Sequence, residues 1–390
     1  VNTKTAMWPP LISTRERLRV SEAVAGLRRR DQSEMLARFV PVDNRGVTFT
    51  TYGKGAFELA VIDAGLEGKR LLLPAYISHD FVGVFKRHGI TPVFADVEAD
   101  TVHLDADLCT PDLLSSVDGV VLLHTFGLPA DGHRFRALTK EHGLVMIEDC
   151  ARAFGARRDG VLAGGFGDYA AFSLSKVAPV RRGGLLLSPR PIETSLPVAK
   201  LDWDGLAHSA LLVRIPGGRI AEGPLIRLLR ETPAYPGEIG LYSAPKVQSL
   251  ESGARFVFDA FLPHYADALA AKKKRALELR AQLGPLGFRF QRDDGTHIHT
   301  AVGARVPPDV DRDRLRDHLR SKAINVFTLW GDPLGTSHLA AEAWGTDPAA
   351  FPITAALSRE YLHFPISRFM TAGDVDRIVA ATRGFLGHSG

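Results

Sequence analysis

Asp149 and Lys176 are the residues of this 390-residue chain whose types and placement most directly suggest chemistry. Asp149 follows the apolar run 144–148 (LVMIE), and Lys176 follows a second strand-like run, 169–173 (YAAFS), with the glycine pair Gly183 and Gly184 just beyond. An ionised carboxylate at a strand end needs a partner, because burying it unpaired costs several kcal/mol or neutralises it. A protonated pyridine nitrogen is such a partner. A lysine held among apolar groups loses some preference for its charged form, so its amine becomes free to condense with an aldehyde. Taken singly, Asp149 reads as a helix cap and Lys176 as a solvated loop residue. Placed together after two strands, they read as groups that hold the two ends of pyridoxal 5'-phosphate (PLP).

The stretch 147–184, IEDCARAFGARRDGVLAGGFGDYAAFSLSKVAPVRRGG, resembles the signature of the DegT/DnrJ/StrS family of PLP-dependent sugar aminotransferases. That signature runs from an apolar strand and E-D-x-A through a glycine-rich hairpin, G-D and F-S to the Schiff-base lysine and a G-G pair. PVFADVEADTVHLD, VVLLHTFGLPADG and the tail YLHFPISRFMTAGDVDRIV are similar to further segments of the same family, in the same order. Several motifs in unbroken order are more specific than any one of them.

The resemblance implies roles. Lys176 would carry the cofactor as a Schiff base, Asp149 would pair with its ring nitrogen, and Ser173 would donate its hydroxyl to its phosphate. Gly53, Lys54 and Gly55 stand at the family's phosphate turn, before the helical run AFELAVIDAGL. Backbone N–H groups at a helix N-terminus form an anion site, although two glycines alone signal no more than a tight turn.

Some positions depart from the family pattern. Arg152 replaces the usual Gln or His three residues after the acid, where a guanidinium would stabilise the cofactor's phenolate or point elsewhere. The family's N-x-R-M-S segment, which reaches the partner subunit's phosphate, aligns with Ile239, Leu241, Tyr242 and Ser243. Lys54, Arg181 or Arg182 are candidates to supply replacement charge; for the arginines a solvated face is the plain alternative. The aromatic plate over the cofactor ring falls at Ser78, with Tyr76 and His79 as equal candidate substitutes. Trp330 and Arg152 are candidate substrate contacts, with packing between lobes as the alternative for Trp330, and Arg181 and Arg182 are further substrate candidates.

Composition fits a large soluble enzyme: 45% hydrophobic and 24% charged residues, with a formal net charge of +4. No basic stripe interleaved with aromatics signals nucleic-acid binding. The two cysteines, Cys109 and Cys150, and the histidines show no metal-ligand spacing, so no metal is expected; His124 reads as a hydrogen-bonded structural residue. No apolar run approaches the ~18 residues of a membrane span, which points to the cytoplasm.

The elements that must position these residues alternate between short apolar runs and helical ones, which argues a mainly parallel sheet with helices on both faces. In such sheets sites lie at the carboxyl ends of strands. With the resemblance, the expectation is a fold-type-I α/β protein with a seven-stranded, mainly parallel sheet. It divides into an N-terminal arm (1–45), a large PLP-binding domain (46–241), bridging helices (242–283) and a small C-terminal α/β domain (284–390). The stretch 193–237 reads as an insertion or substrate loop, and THIHTAVGARV as a strand.

The function implied is amino transfer from glutamate or glutamine to a keto group of a sugar, cyclitol or related polar metabolite. Pyridoxamine phosphate would be the intermediate cofactor form, and the protein would be a homodimer with sites at the interface. The rivals are a lyase or dehydratase of the same fold, against which Lys176 argues, and a non-catalytic binding or regulatory protein with a degenerate site.

Overall fold

The computed structural model describes residues 18–19, 21–22, 32–192, 196–197, 213–214 and 247–387. Ile239, Leu241, Tyr242 and Ser243 lie outside the described residues, as does nearly all of 193–237.

Seven five-residue strands build the main sheet: β1 (Gly46–Thr50), β2 (Arg70–Pro74), β3 (Thr91–Ala95), β4 (Gly119–Leu123), β5 (Val145–Asp149), β6 (Tyr169–Ser173) and β7 (Gly184–Ser188). Their order is β1-β7-β6-β5-β4-β2-β3. Strands β2 to β6 pair in parallel, and β7 runs antiparallel to both of its neighbours. The strands read as continuous apolar runs because both faces are covered. Successive side chains point to opposite faces. Leu71, Leu73, Val121, Leu123 and Ile147 pack with Phe57 and Leu59 of helix α1 (Gly53–Asp63). Leu72, Val120, Leu122 and Met146 instead meet Phe135 of helix α2 (Gly132–Glu141).

Helices α3 (Ser252–Phe261) and α4 (Tyr265–Leu283) follow the sheet. Helix α4 belongs to two cores. Its Tyr265 and Ala268 pack with Phe154 and Phe172 of the large lobe, whereas Ala276, Leu279 and Leu283 pack with Leu362 and Phe364. The second core covers a three-stranded antiparallel sheet of β8 (Arg289–Phe290), β9 (Val302–Arg305) and β10 (Tyr361–Phe364). Helices α5 (Arg312–Ser321), α6 (Pro352–Glu360) and α7 (Ala372–Leu386) complete this lobe.

Asp96, just past β3 and only 5% exposed, ties the lobes together. It accepts Ile353 N–H (2.8 Å), Thr354 N–H (2.9 Å) and Thr354 Oγ1–H (2.7 Å) at the start of α6. A carboxylate there satisfies first-turn donors and suits the positive end of the helix dipole.

The expected strand THIHTAVGARV forms only over Val302–Arg305. His299 adopts φ +51, which breaks an extended course. Ile298 N–H instead donates to Gly127 O (3.0 Å), and Thr300 Oγ1–H to Phe126 O (2.7 Å), so the segment packs on a large-lobe turn. Among the described residues no helix is long and apolar enough to cross a membrane.

Candidate active site

Strands β5 and β6 lie side by side in parallel, with Asp149 opposite Ala171. Asp149 closes β5, and Lys176 ends a 3-10 turn (Leu174–Lys176) that follows β6, so both stand at the carboxyl edge of the sheet. Asp149 Oδ1 accepts Ala151 N–H at 2.8 Å. Burial raises the pKa of Asp149; the charges of Lys176 and Arg152 and the Ala151 N–H work against that rise. Lys176 is exposed by surface area yet enclosed by protein mass, as befits a side chain standing in an open cleft. Enclosure and the Arg152 charge lower its pKa, against the pull of Asp149 and Asp80. Its amine is therefore both reachable and easier to deprotonate.

The phosphate side is built by close approach. A Cβ on Gly53 would sit 2.9 Å from Ser173 Cβ, so the N-terminus of α1 abuts the end of β6 only because that residue is glycine. A Cβ on Gly184 would meet Tyr52 O at 2.3 Å, which explains the second glycine of the pair. Tyr52 precedes α1 without a side-chain cap. Lys54 Nζ and the Arg182 guanidinium lie 5.7 and 5.3 Å from the centroid of the Tyr52 ring. Arg181 is exposed. Ser173 Oγ is 3.3 Å from Ser175 Oγ.

The two candidate ring plates differ. Tyr76 is 1% exposed; its hydroxyl donates to Leu329 O (3.0 Å), and its ring meets Trp330 edge-on at 5.4 Å. His79 keeps 24% of its side chain open and faces Asp332 at 3.5 Å. Trp330, with φ +50, also leans on Phe126 at 5.5 Å, so Tyr76 and Trp330 both stand in packing between the lobes.

His124, Glu148 and Cys150 bring their ligand atoms within 4.8 Å of one another. Both ring nitrogens of His124 are engaged: Nδ1 accepts Ala130 N–H (2.9 Å), and Nε2 donates to Glu148 Oε2 (2.8 Å). Glu148, fully buried, also accepts the N–H groups of Gly164 (2.8 Å), Phe166 (2.8 Å) and Gly167 (2.5 Å). This cluster is a hydrogen-bonded anchor that pins the glycine-rich hairpin beside Asp149. Burial holds the Cys150 thiol well above its ordinary pKa. Glu148, Asp80 and His363, a buried histidine within reach of the Arg152 charge, were not singled out from sequence. Only the E-D dipeptide hinted at the first, and nothing local marked the other two.

The donor set fits PLP. It offers a reachable amine, a carboxylate at a strand end, and a helix N-terminus beside a serine hydroxyl and cations. Fold and site together define a PLP-dependent transferase of fold type I. More particularly, residues 22–189 match the DegT/DnrJ/EryC1/StrS aminotransferase family, so the chain carries a domain of that family and is a PLP-dependent aminotransferase.

Among its relatives is dTDP-3-amino-3,4,6-trideoxy-alpha-D-glucose transaminase of Micromonospora megalomicea subsp. nigra, 27% identical over 76% of this chain and 73% of that one. L-glutamine:2-deoxy-scyllo-inosose aminotransferase of Streptomyces kanamyceticus is 37% identical over 26% of this chain and 24% of its own length. The PLP form of Spr1654 from Streptococcus pneumoniae has the same fold, with a TM-score of 0.72 at 16% identity, covering 96% of this chain and 98% of the other.

Proposed function

We propose that this aminotransferase moves an amino group from glutamate or glutamine to a keto group of a sugar, cyclitol or related polar metabolite, working as a cytoplasmic homodimer. The reading is carried by Lys176 and Asp149 at the carboxyl ends of adjacent parallel strands. The substrate class is supported by relatives named for a deoxyamino sugar and a keto cyclitol, one of which takes glutamine by name.

When bound, PLP supplies an electron sink conjugated to the carbon that exchanges the amino group. Lys176 Nζ, its charged form disfavoured, anchors the cofactor and moves the proton at that carbon. Asp149 holds the ring-nitrogen proton, which its desolvated carboxylate attracts. Ser173 and the N–H groups of Gly53, Lys54 and Gly55 hold the phosphate, with Lys54 and Arg182 adding positive field and Arg181 at the rim. Of the two ring candidates, His79 presents an open face, while Tyr76 and Trp330 shape the wall between the lobes. Arg152 stands among Lys176 and Asp149 as a fixed positive charge.

The test is the visible spectrum of the purified protein with PLP, followed by separate additions of glutamate and glutamine. Conversion to the pyridoxamine form, with the matching keto acid released, is expected with one of them. A spectrum unmoved by either would sink the proposed donor class.

A further inference from the structure

Tyr52 stands between the end of β1 and the first turn of α1, and its backbone is held by three neighbours. Its carbonyl accepts Thr50 Oγ1–H (2.7 Å), Gly184 comes so close that a Cβ there would lie 2.3 Å from that oxygen, and Gly183 forms an isolated bridge with it. With φ −140 and ψ 150 Tyr52 is extended, so the helix starts only at Gly53, which abuts Ser173. Tyr52 thus has a fixed place one residue before the phosphate turn, and its side chain is only partly buried.

Two cations from different segments converge on the Tyr52 ring. Lys54 Nζ, from the first turn of α1, lies 5.7 Å from its centroid, and the Arg182 guanidinium lies 5.3 Å from it. Arg182 precedes Gly183, which takes φ +148 and whose carbonyl accepts Leu174 N–H (2.9 Å). The Arg182 loop is therefore bound on one side to Tyr52 and on the other to the turn that ends in Lys176. Lys54 and Arg182 are partly exposed, so a ligand at the turn can reach them. Like charges repel, and both long side chains lose rotamer freedom when held in place. The ring face attracts each of them. Tyr52 thereby keeps two cations beside the phosphate turn before any anion arrives.

We infer that Tyr52 is a positioning residue for the cofactor phosphate, acting through its ring on Lys54 and Arg182, an assignment that rests on the phosphate placement given above. Side chains already gathered cost less to order when the phosphate binds. The phosphate in turn offsets the repulsion between the two cations. The ring face supplies this effect without the hydroxyl.

The cofactor-free protein is titrated with PLP and, separately, with pyridoxal, which lacks the phosphate. Both affinities are read from the visible band that each gives on binding. Tyr52→Phe keeps the ring and should bind PLP within about twofold of the wild type. Tyr52→Leu removes the ring and should weaken PLP about tenfold, with pyridoxal unchanged. Arg182→Met should also weaken PLP alone, and its effect should shrink in the Tyr52→Leu background, because the two residues act through one contact. If Tyr52→Leu does not fold, Tyr52→Met, a long apolar side chain without a ring face, takes its place. Equal weakening of PLP and pyridoxal by Tyr52→Leu would overturn the assignment in favour of a purely structural role. Equal losses from Tyr52→Phe and Tyr52→Leu would overturn it in favour of the hydroxyl. Unchanged PLP affinity, or an Arg182→Met effect that is the same in both backgrounds, would overturn it outright. A wild type that binds PLP no more tightly than pyridoxal would instead mark failure of the phosphate placement itself.

Discussion

Asp149 ends one strand and Lys176 ends the turn that follows its parallel neighbour, so a carboxylate and an amine that desolvation would each neutralise support each other's charge. That mutual support is partial: Asp149 still sits above its ordinary pKa and Lys176 below its own.

Lys176→Ala removes the amine and should lower turnover by about 10³-fold or more, given the usual contribution of a positioned proton-transfer group. It should also abolish covalent cofactor attachment, seen as PLP that is lost on gel filtration. Retained turnover without the covalent link would contradict the assigned role.

Asp149→Asn tests the raised carboxyl. A carboxyl whose native pKa exceeds its unfolded value of about 3.9 binds a proton in the folded chain where the unfolded chain has released it. Its contribution to stability is fully present below about pH 4 and is lost as pH rises through the native value. Cofactor-free Asp149→Asn should therefore lose less Tm than the cofactor-free wild type across that window. With PLP bound the order should reverse at neutral pH, because asparagine cannot hold the ring-nitrogen proton as an ion partner. Scanning calorimetry from acid to neutral pH checks both, and parallel cofactor-free curves would show that Asp149 titrates normally.

Glu148→Gln leaves one oxygen but puts an amide NH2 where the other stood, and each oxygen accepts two N–H groups, from His124 and Gly164 or from Phe166 and Gly167, so two donors face a donor. Leaving such donors unmatched in a fully buried site should cost about 3 kcal/mol. Urea unfolding measures the loss. The hairpin should also become protease-sensitive before the rest of the large lobe.

Asp96→Ala removes a cap that crosses from one lobe to the other. The expected loss is about 2 kcal/mol, the upper range for a helix cap, because the freed Ile353 and Thr354 groups lie in a largely buried contact. Hydrogen exchange should rise first at the start of α6. Uniform acceleration over the whole chain would point to a global effect rather than a lobe contact.

The sequence by itself determined the large-lobe architecture, because strands covered on both faces are continuous apolar runs, and their alternation with helical stretches leaves few topologies. It also determined where Asp149, Lys176 and the glycine pair fall, since strand ends and obligatory close approaches leave local marks. Tertiary structure alone decided which side chains face one another. Tyr76 and His79 stood equal in sequence, yet one is sealed between lobes and the other stays partly exposed. The 297–300 segment looked like a strand, but hydrogen bonds to a turn more than 160 residues earlier in the chain pull it out of register. Asp96 and Glu148 act through partners supplied by other parts of the chain. Local pattern reports burial and backbone geometry, whereas the pairing of one charge or donor with another depends on how two lobes close over the same cleft.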